Sequence, residues 1–441
     1  MAYEMIALLM FSTMLLMMLT GQRVFGAIGF VAVVAALWMW GPGGQQMGFS
    51  AIMKLMKWNA MLTLPMFVFM GYVMSESRLA EDLYKMFHVW FGPVPGGLAI
   101  GTIFLMVLIS AMNGLSVAGM AIGATICLPE LARRGYDKQM ISGVIQAGSS
   151  LGILIPPSVV LVLYAMIARQ PVGQLWLAGI LPGLLMAAVF VIYIAVRCRL
   201  NPSLGPAISA EERVATPLPE KIRLLRSGLL PLGIFFVMMV PFVSGWASLT
   251  ESAVIGALAT VLAAVWKGRF TRQVFEVATR STLAITCMFM LIIMAALSFG
   301  AVFDGLGAGR TIEKIFVEDL GLGPWGVLIL MQLSFLIMGM FLDDTAMLVI
   351  VAPIYVSLAS ALGFDLIWYG ILYTITCQIA YLTPPFGYNL FLMRAMAPPD
   401  YDLPVIYRSV IPFVILMVIT LIILMIFPQI ALWLPQQVYG T

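Results

Sequence analysis

Histidine is almost missing from this chain: His88 is the only one in 441 residues, which excludes a metal centre built on imidazoles. Cysteine is nearly as scarce. Cys127, Cys198, Cys287 and Cys377 stand alone with no Cys-x-x-Cys pair, and this argues against a disulfide framework, a zinc site or an iron–sulfur cluster. Asp, Glu, Lys and Arg together make up 10% of the residues, too few to clothe a soluble surface. No Gly-x-x-x-x-Gly-Lys-Ser/Thr loop is present, so the chain has no phosphate cradle for splitting ATP. No Gly-x-Gly-Asp motif lies in an apolar stretch, as an intramembrane aspartyl protease would need. Without the groups that hydrolytic or metal chemistry requires, the chain is expected to be no enzyme and to carry no cofactor. The first apolar run, Met1–Thr20, lacks a basic leader and a small-residue cleavage site, and so reads as a mature span.

What the chain has is apolar mass. It is 62% hydrophobic with a mean hydropathy of +1.05, and apolar runs recur along its whole length with short gaps. The expected class is an all-α, multi-pass membrane protein. Its thirty-four methionines are spread throughout as polarizable packing residues rather than grouped as a soft-metal site. Trp38, Trp40, Trp90, Trp176, Trp325 and Trp368 are expected near span ends, in aromatic belts. Basic residues crowd one polar segment, with Arg197, Arg199, Arg213, Lys221, Arg223 and Arg226. Short loops rich in Lys and Arg stay on the cytoplasmic side, which places this segment inside the cell.

That segment, with Asn201-Pro202, Pro206 and Thr216-Pro217-Leu218-Pro219, divides two similar halves. Gly135-Tyr136-Asp137 and Gly363-Phe364-Asp365 are 228 positions apart, and so are the pairs Pro156-Pro157 and Pro384-Pro385. The expected division is a first membrane repeat over 1–196, a cytoplasmic linker over 197–228 and a second repeat over 229–441. Each Pro-Pro pair sits in a long uncharged stretch. The first, residues 139–168, would run ~45 Å as one straight helix, against a hydrocarbon core of ~30 Å. Tandem prolines remove two backbone donors and push the preceding residue out of the helical region. These facts predict two re-entrant hairpins, over about 139–168 and 366–393, with Pro156, Pro157, Pro384 and Pro385 at their tips. Unwound backbone at such a depth is tolerated only where it is buried in protein or lines a wet cavity. Paired broken helices in two repeats are how secondary transporters hold substrate and ions near the midplane.

The segments Asn113-Gly114-Leu115-Ser116, Leu131 to Asp137, Gly148 to Ser158, Phe341-Leu342-Asp343 and Thr383 to Leu390 resemble the large membrane subunit of tripartite ATP-independent periplasmic (TRAP) transporters. The resemblance covers essentially the whole chain and is most specific from Gly135 to Ser158. It implies two inverted-topology repeats of the ion-transporter superfamily, each with a re-entrant hairpin, working by an elevator motion. It also implies sodium-driven import of organic acids such as C4-dicarboxylates, sugar acids or sialic acid through a bacterial or archaeal inner membrane. The partners implied are a separate small membrane subunit and an extracytoplasmic solute-binding receptor, with no nucleic acid.

The resemblance further implies a first sodium site from Asn113, Ser116, Ser149, Ser150, Gly152 and Ile155, and a second from Gly339, Asp343, Ala380, Thr383 and Phe386. The competing reading of the small and hydroxyl residues is close helix packing or end capping. A carboxylate at the membrane centre costs ~2.5–3.5 kcal/mol on insertion scales, which makes Asp343-Asp344 a functional candidate unless the pair lies in an interfacial loop. Arg394 ends a long uncharged run. It is a candidate fork for a substrate carboxylate, or else an arginine snorkelling to the interface. Lys54, Lys57 and Trp58 fit an amphipathic segment on the membrane surface that either stiffens the scaffold or contacts the small subunit. A stand-alone sodium- or proton-coupled dicarboxylate symporter is the alternative reading. Such symporters usually carry Ser-Asn-Thr tips in place of Ile-Pro-Pro and Thr-Pro-Pro.

Overall fold

A computed structural model describes residues 3–20, 22–57, 59–92, 94–114, 116, 119–120, 123–207, 218–307, 321–340, 344–384 and 387–440, with the backbone alone at Asn113, Asp344 and some other helical positions. The described residues are helical, with no strand among them. The first repeat opens with α1 (Tyr3–Leu19), α2 (Val24–Ala35), α3 (Gly44–Met56), α4 (Thr63–Glu76) and α5 (Leu79–Phe91). It continues with α6 (Gly97–Asn113), α7 (Leu128–Arg133), α8 (Lys138–Ser150), α9 (Val159–Ala168) and α10 (Val172–Leu200). The second repeat holds α11 (Leu218–Val243), α12 (Leu249–Trp266), α13 (Arg272–Gly305), α14 (Pro324–Gly339) and α15 (Asp344–Ala361). It ends with α16 (Leu366–Ala380), α17 (Tyr388–Met396), α18 (Leu403–Ile426) and α19 (Gln429–Tyr439).

Helices α10, α12 and α18, with the apolar stretches Ile222–Val243 of α11 and Arg272–Phe303 of α13, are long and apolar enough to cross a membrane. The chain is a multi-pass membrane protein. Its two repeats share one body: α13 packs along α2, α3 and α4, while α11 packs against α5. Helix α11 starts inside the expected linker and α10 runs four residues into it. The linker is therefore shorter than its polar composition implied, because charged residues at helix ends are solvated without breaking the helix.

The repeated Gly-x-Asp landmark is a helix start. Asp137 Oδ1 accepts from the backbone N–H of Gln139 at 3.0 Å and Met140 at 3.1 Å. Asp365 Oδ1 does the same for Ile367 at 2.8 Å and Trp368 at 2.9 Å. Each aspartate satisfies two of the N–H groups that a helix start leaves orphaned. The glycines before them, with φ of 72° and 78°, supply the left-handed turn that sets up the cap.

The Pro-Pro segments are crossing spans and not the re-entrant hairpins expected from the charge gaps. Helix α10 has 29 residues and so is about 43 Å long. It begins just after α9 and leads to Leu204 and Gly205, whose carbonyls accept from Asp137 N–H at 3.2 Å and Gly96 N–H at 2.8 Å. The start of α8 and the end of α9 thus lie at opposite ends of the bundle. The same holds for the second segment. Helix α18 begins beside Asp400 and reaches Leu424, whose carbonyl accepts the Trp368 indole N–H at 2.8 Å. The thirty-residue length argument failed because the break absorbs length: 13 residues of α8 and 10 of α9 rise only ~20 and ~15 Å, enough to cross a ~30 Å core between them.

The re-entrant hairpins lie one segment earlier. Helix α6 starts where Leu98 N–H donates to the Tyr136 hydroxyl at 3.2 Å, so the chain enters at Gly97 and has returned to the same end by Tyr136. In the second repeat Trp325, at the start of α14, stacks edge-on with Phe364 and Trp368, with ring centroids 5.8 and 6.2 Å apart. Entry by α14 and return by α15 therefore share the opposite end. The hairpins come from opposite sides, as an inverted repeat requires. One tryptophan departs from expectation: Trp176 is buried against the first break, whereas Trp38 and Trp325 are exposed; Trp368 stands at the start of its span but packs inward.

Candidate functional site

Four interruptions meet inside the bundle. The turn after α6 reaches the break between α8 and α9, where Val159 N–H donates to the Gly114 carbonyl at 3.3 Å. The turn after α14 reaches the break between α16 and α17, where Gly387 N–H donates to the Met340 carbonyl at 3.2 Å. The two breaks also touch each other. Gln378 Nε2 donates to the Ser150 carbonyl at 2.8 Å, and the Tyr381 hydroxyl reaches the same oxygen at 3.5 Å. The Ser116 hydroxyl, just past the first turn, lies 3.0 Å from Asn389 Nδ2, which donates to it. Helices α6, α8, α14 and α16 end at this locus and α9, α15 and α17 begin there, so carbonyl ends for cations and N–H ends for anions face one small volume.

Local sequence explains each interruption. Gly114 has φ of 64° and lies so close to the Pro157 carbonyl that a side chain would overlap it. After Ser150 the chain tightens into a 3₁₀ turn, Leu151–Ile153, with Leu154 and Ile155 N–H both donating to the Leu151 carbonyl at 3.1 and 3.0 Å. Ser158 then caps α9, accepting from Leu161 N–H at 3.2 Å and donating to the Ile153 carbonyl across the break. Helix α10 closes over this break. Gly179 and Gly183 let it approach Leu154 and Ile155, and the Trp176 indole donates to the Ser158 carbonyl at 3.3 Å.

Of the residues that resemblance assigns to the first cation site, Ser116, Ser149, Ser150, Gly152 and Ile155 all lie at or within a turn of this break. The Ser149 and Ser150 hydroxyls donate to Gln146 and Ala147 carbonyls of their own helix, at 2.9 and 2.7 Å, so what they can offer a cation is lone pairs and backbone oxygens. Asn113 ends α6, and its side chain lies outside the described residues. In the second set, Gly339 and Ala380 face each other so closely that a Cβ on Gly339 would come within 2.5 Å of the Ala380 methyl. Thr383 folds back through its N–H to the Ala380 carbonyl at 3.0 Å and through its hydroxyl to the Ile379 carbonyl at 2.6 Å. Pro384 precedes the undescribed pair Pro385 and Phe386. Asp343 lies outside the described residues, and so does the side chain of Asp344.

The sequence reading passed over Gln378 and Asn389. Both are fully buried, and two amides flanking the Pro-Pro pair of a long uncharged run were the signal that could have singled them out. Arg394 lies two turns into α17, away from the break. Its Nη1 donates to the Tyr401 carbonyl at 3.0 Å and lies 3.4 Å from that of Pro399, so the guanidinium holds the loop after the second span. In the same loop Asp400 pairs with Lys138 at 2.7 Å, and this bond holds its carboxyl below the usual carboxylate range. Burial pushes the neighbouring Tyr401 hydroxyl up to about 12.

Among the described side chains no Asp, Glu, Lys or Arg is buried. The described part of the convergence is lined by carbonyls, hydroxyls and amides, oxygen donors that suit a hard monovalent cation which must be released again.

Comparison with known proteins agrees with this geometry. Residues 11–430 match the family model described as the tripartite ATP-independent periplasmic transporter, DctM component. The chain is 31% identical to the C4-dicarboxylate TRAP transporter large permease protein DctM of Pseudomonas aeruginosa, over 85% of this chain and 86% of that one. It is 27% identical to the ectoine TRAP transporter large permease protein TeaC of Halomonas elongata, over 97% and 98%. Against the sialic acid TRAP transporter large permease protein SiaM of Vibrio cholerae it is 27% identical, over 86% and 87%. Among solved structures the YdaH transporter of Alcanivorax borkumensis shares the fold, with a TM-score of 0.64 at 15% identity over 89% of each chain. MtrF of Neisseria gonorrhoeae does so with a TM-score of 0.60 at 15% identity, over 90% of this chain and 84% of that one. With the crossed broken spans, the paired hairpins and a family match over nearly its whole length, this chain belongs to the large permease (DctM component) family of TRAP transporters.

Proposed function

We propose that this chain is the large membrane subunit of a sodium-coupled, receptor-dependent secondary importer of organic acids in a bacterial or archaeal inner membrane. The convergence of four interrupted helices on one oxygen-rich locus carries the reading. In a multi-pass protein such backbone is stable only where it is buried in protein or lines a wet cavity. Sodium enters as cargo: it supplies charge to the substrate site and is released with the substrate. Its binding orders the turns at Gly114–Ser116 and Met340 against the two breaks. An ion can drive the cycle only by its differential affinity for the two access states, and a site shared by elements from opposite ends of the bundle gives it that difference. The hairpins and broken spans move together as an elevator past the body formed by α2, α4, α11 and α13.

The relatives named for C4-dicarboxylates and sialic acid support an acidic substrate, and the one named for ectoine widens the class. Their shared description as large permeases supports a small membrane subunit on a separate chain. A solute-binding receptor on the outer face delivers the substrate, and the basic linker faces the cytoplasm. The test is uptake of a labelled organic-acid panel into proteoliposomes holding both membrane subunits. The reading expects uptake that needs both an inward sodium gradient and the receptor. Uptake with sodium alone would replace it with a stand-alone symporter.

A further inference from the structure

Two buried amides of the second broken span reach Ser150 and Ser116, which the resemblance assigns to the first cation site, one from each side of the break. Gln378, in the last turn of α16, donates from Nε2 to the Ser150 carbonyl at 2.8 Å. Asn389, in the first turn of α17, donates from Nδ2 to the Ser116 hydroxyl at 3.0 Å, and that hydroxyl lies 3.4 Å from Asn389 Oδ1. Asn389 is fixed in turn by its own N–H, which donates to the Tyr381 carbonyl at 3.2 Å and so bridges the break it flanks. Gln378 Oε1 is buried and has no hydrogen-bond partner among the described residues. An orphaned amide oxygen so deep in the protein carries a desolvation cost, which a bound cation or its water would remove. The reach is one-sided. Two hundred and twenty-eight positions earlier stand Ser150, whose hydroxyl donates to its own helix at 2.7 Å, and Leu161, which has no polar group to extend.

We infer that Gln378 and Asn389 are positioning residues that couple the two cation sites. Filling the first site fixes Ser116 and the Ser150 carbonyl, these fix the two amides, and the amides set how Tyr381, Thr383 and Gly387 sit at the second break, on which the second site depends. Coupling of this kind is reciprocal, so occupancy of the second site tightens the first by the same factor. The inference rests on the sodium-coupled reading above.

The test is a sodium titration at constant ionic strength, with choline as the replacing cation, on the large subunit purified with its small subunit. The thermal unfolding midpoint is the first readout, and uptake in proteoliposomes is the second. Wild type should respond sigmoidally. Gln378→Met and Asn389→Leu keep side-chain volume and remove the reach. They should raise half-saturating sodium by about fivefold or more, the lower range of typical site-to-site coupling, and flatten the curve to a single-site form. Thr374→Val is the control, since Thr374 is buried one turn away on α16 and bonds only to the Gly370 carbonyl at 2.8 Å; it should lower the midpoint without changing the sodium curve. Should Asn389→Leu fail to fold, Asn389→Ser withdraws the same donor from Ser116 with a smaller side chain and should give the same flattened curve. Variants whose sodium curves match wild type or Thr374→Val overturn the coupling role alone. A wild type with no sodium response overturns the sodium-coupled reading and this inference with it.

Discussion

Gln378 and Ser150 hold the same position in the two repeats, 228 residues apart, and they touch: the Gln378 amide donates to the Ser150 carbonyl at 2.8 Å. Equivalent residues of an inverted pair meet only where the internal two-fold passes between them. The contact therefore marks the centre of the fold. Around it the two broken spans run antiparallel, with Lys138 at the start of one pairing with Asp400 past the end of the other at 2.7 Å. At the opposite end the Tyr164 hydroxyl donates to the Leu366 carbonyl at 2.7 Å.

This antiparallel crossing predicts sidedness. In a background free of native cysteines, single cysteines at Arg133 and Gln170 should react with an impermeant thiol reagent from opposite sides of sealed vesicles. Reaction of both from one side would restore the hairpin reading of residues 139–168.

Two glycines with similar backbones should differ in cost. Gly114 and Gly135 have φ of 64° and 72°, but a Cβ at Gly114 would run into the Pro157 carbonyl while at Gly135 it meets nothing within 4 Å. Gly135→Ala should cost about 1 kcal/mol, the strain of a left-handed alanine. Gly114→Ala should cost more and should also abolish uptake, because it forces the hairpin turn away from the break. Equal thermal stability of the two variants would show that the turn does not seat where the structure puts it.

The Lys138–Asp400 pair predicts a pH-dependent difference. The folded-state pKa of Asp400 is lowered, so its contribution to stability is present above the ordinary carboxylate value and is lost as pH falls through the folded one. Thermal unfolding of wild type and Asp400→Asn should therefore differ at neutral pH and converge below about pH 4. Because both side chains are half exposed, the gap should also shrink in high salt. A gap that is unchanged at low pH would assign the effect of the substitution to something other than the charge.

Much of this was legible in the sequence. The duplication and the membrane class followed from the offset of the landmarks and from composition. What failed was connectivity in space. Uncharged length cannot tell a hairpin from a crossing span, since a break shortens a segment in either case, and the deciding fact was a tertiary one: the far end of α10 lies against Asp137. Gln378 and Asn389 were missed because their meaning comes from partners hundreds of positions away, which no local pattern reports. Trp176 was misplaced for the same reason, as its indole is spent on the Ser158 carbonyl at 3.3 Å and not on the membrane surface.

Alternating access to the convergence of the four broken helices is the central claim, and accessibility of a single cysteine at Thr383 measures it most directly. Thr383 is half-buried beside the second break. In sealed vesicles free of other cysteines, an impermeant thiol reagent should reach position 383 from either side, with sodium shifting the ratio of the two rates. Reaction from one side alone, at the same rate with and without sodium, would contradict the account.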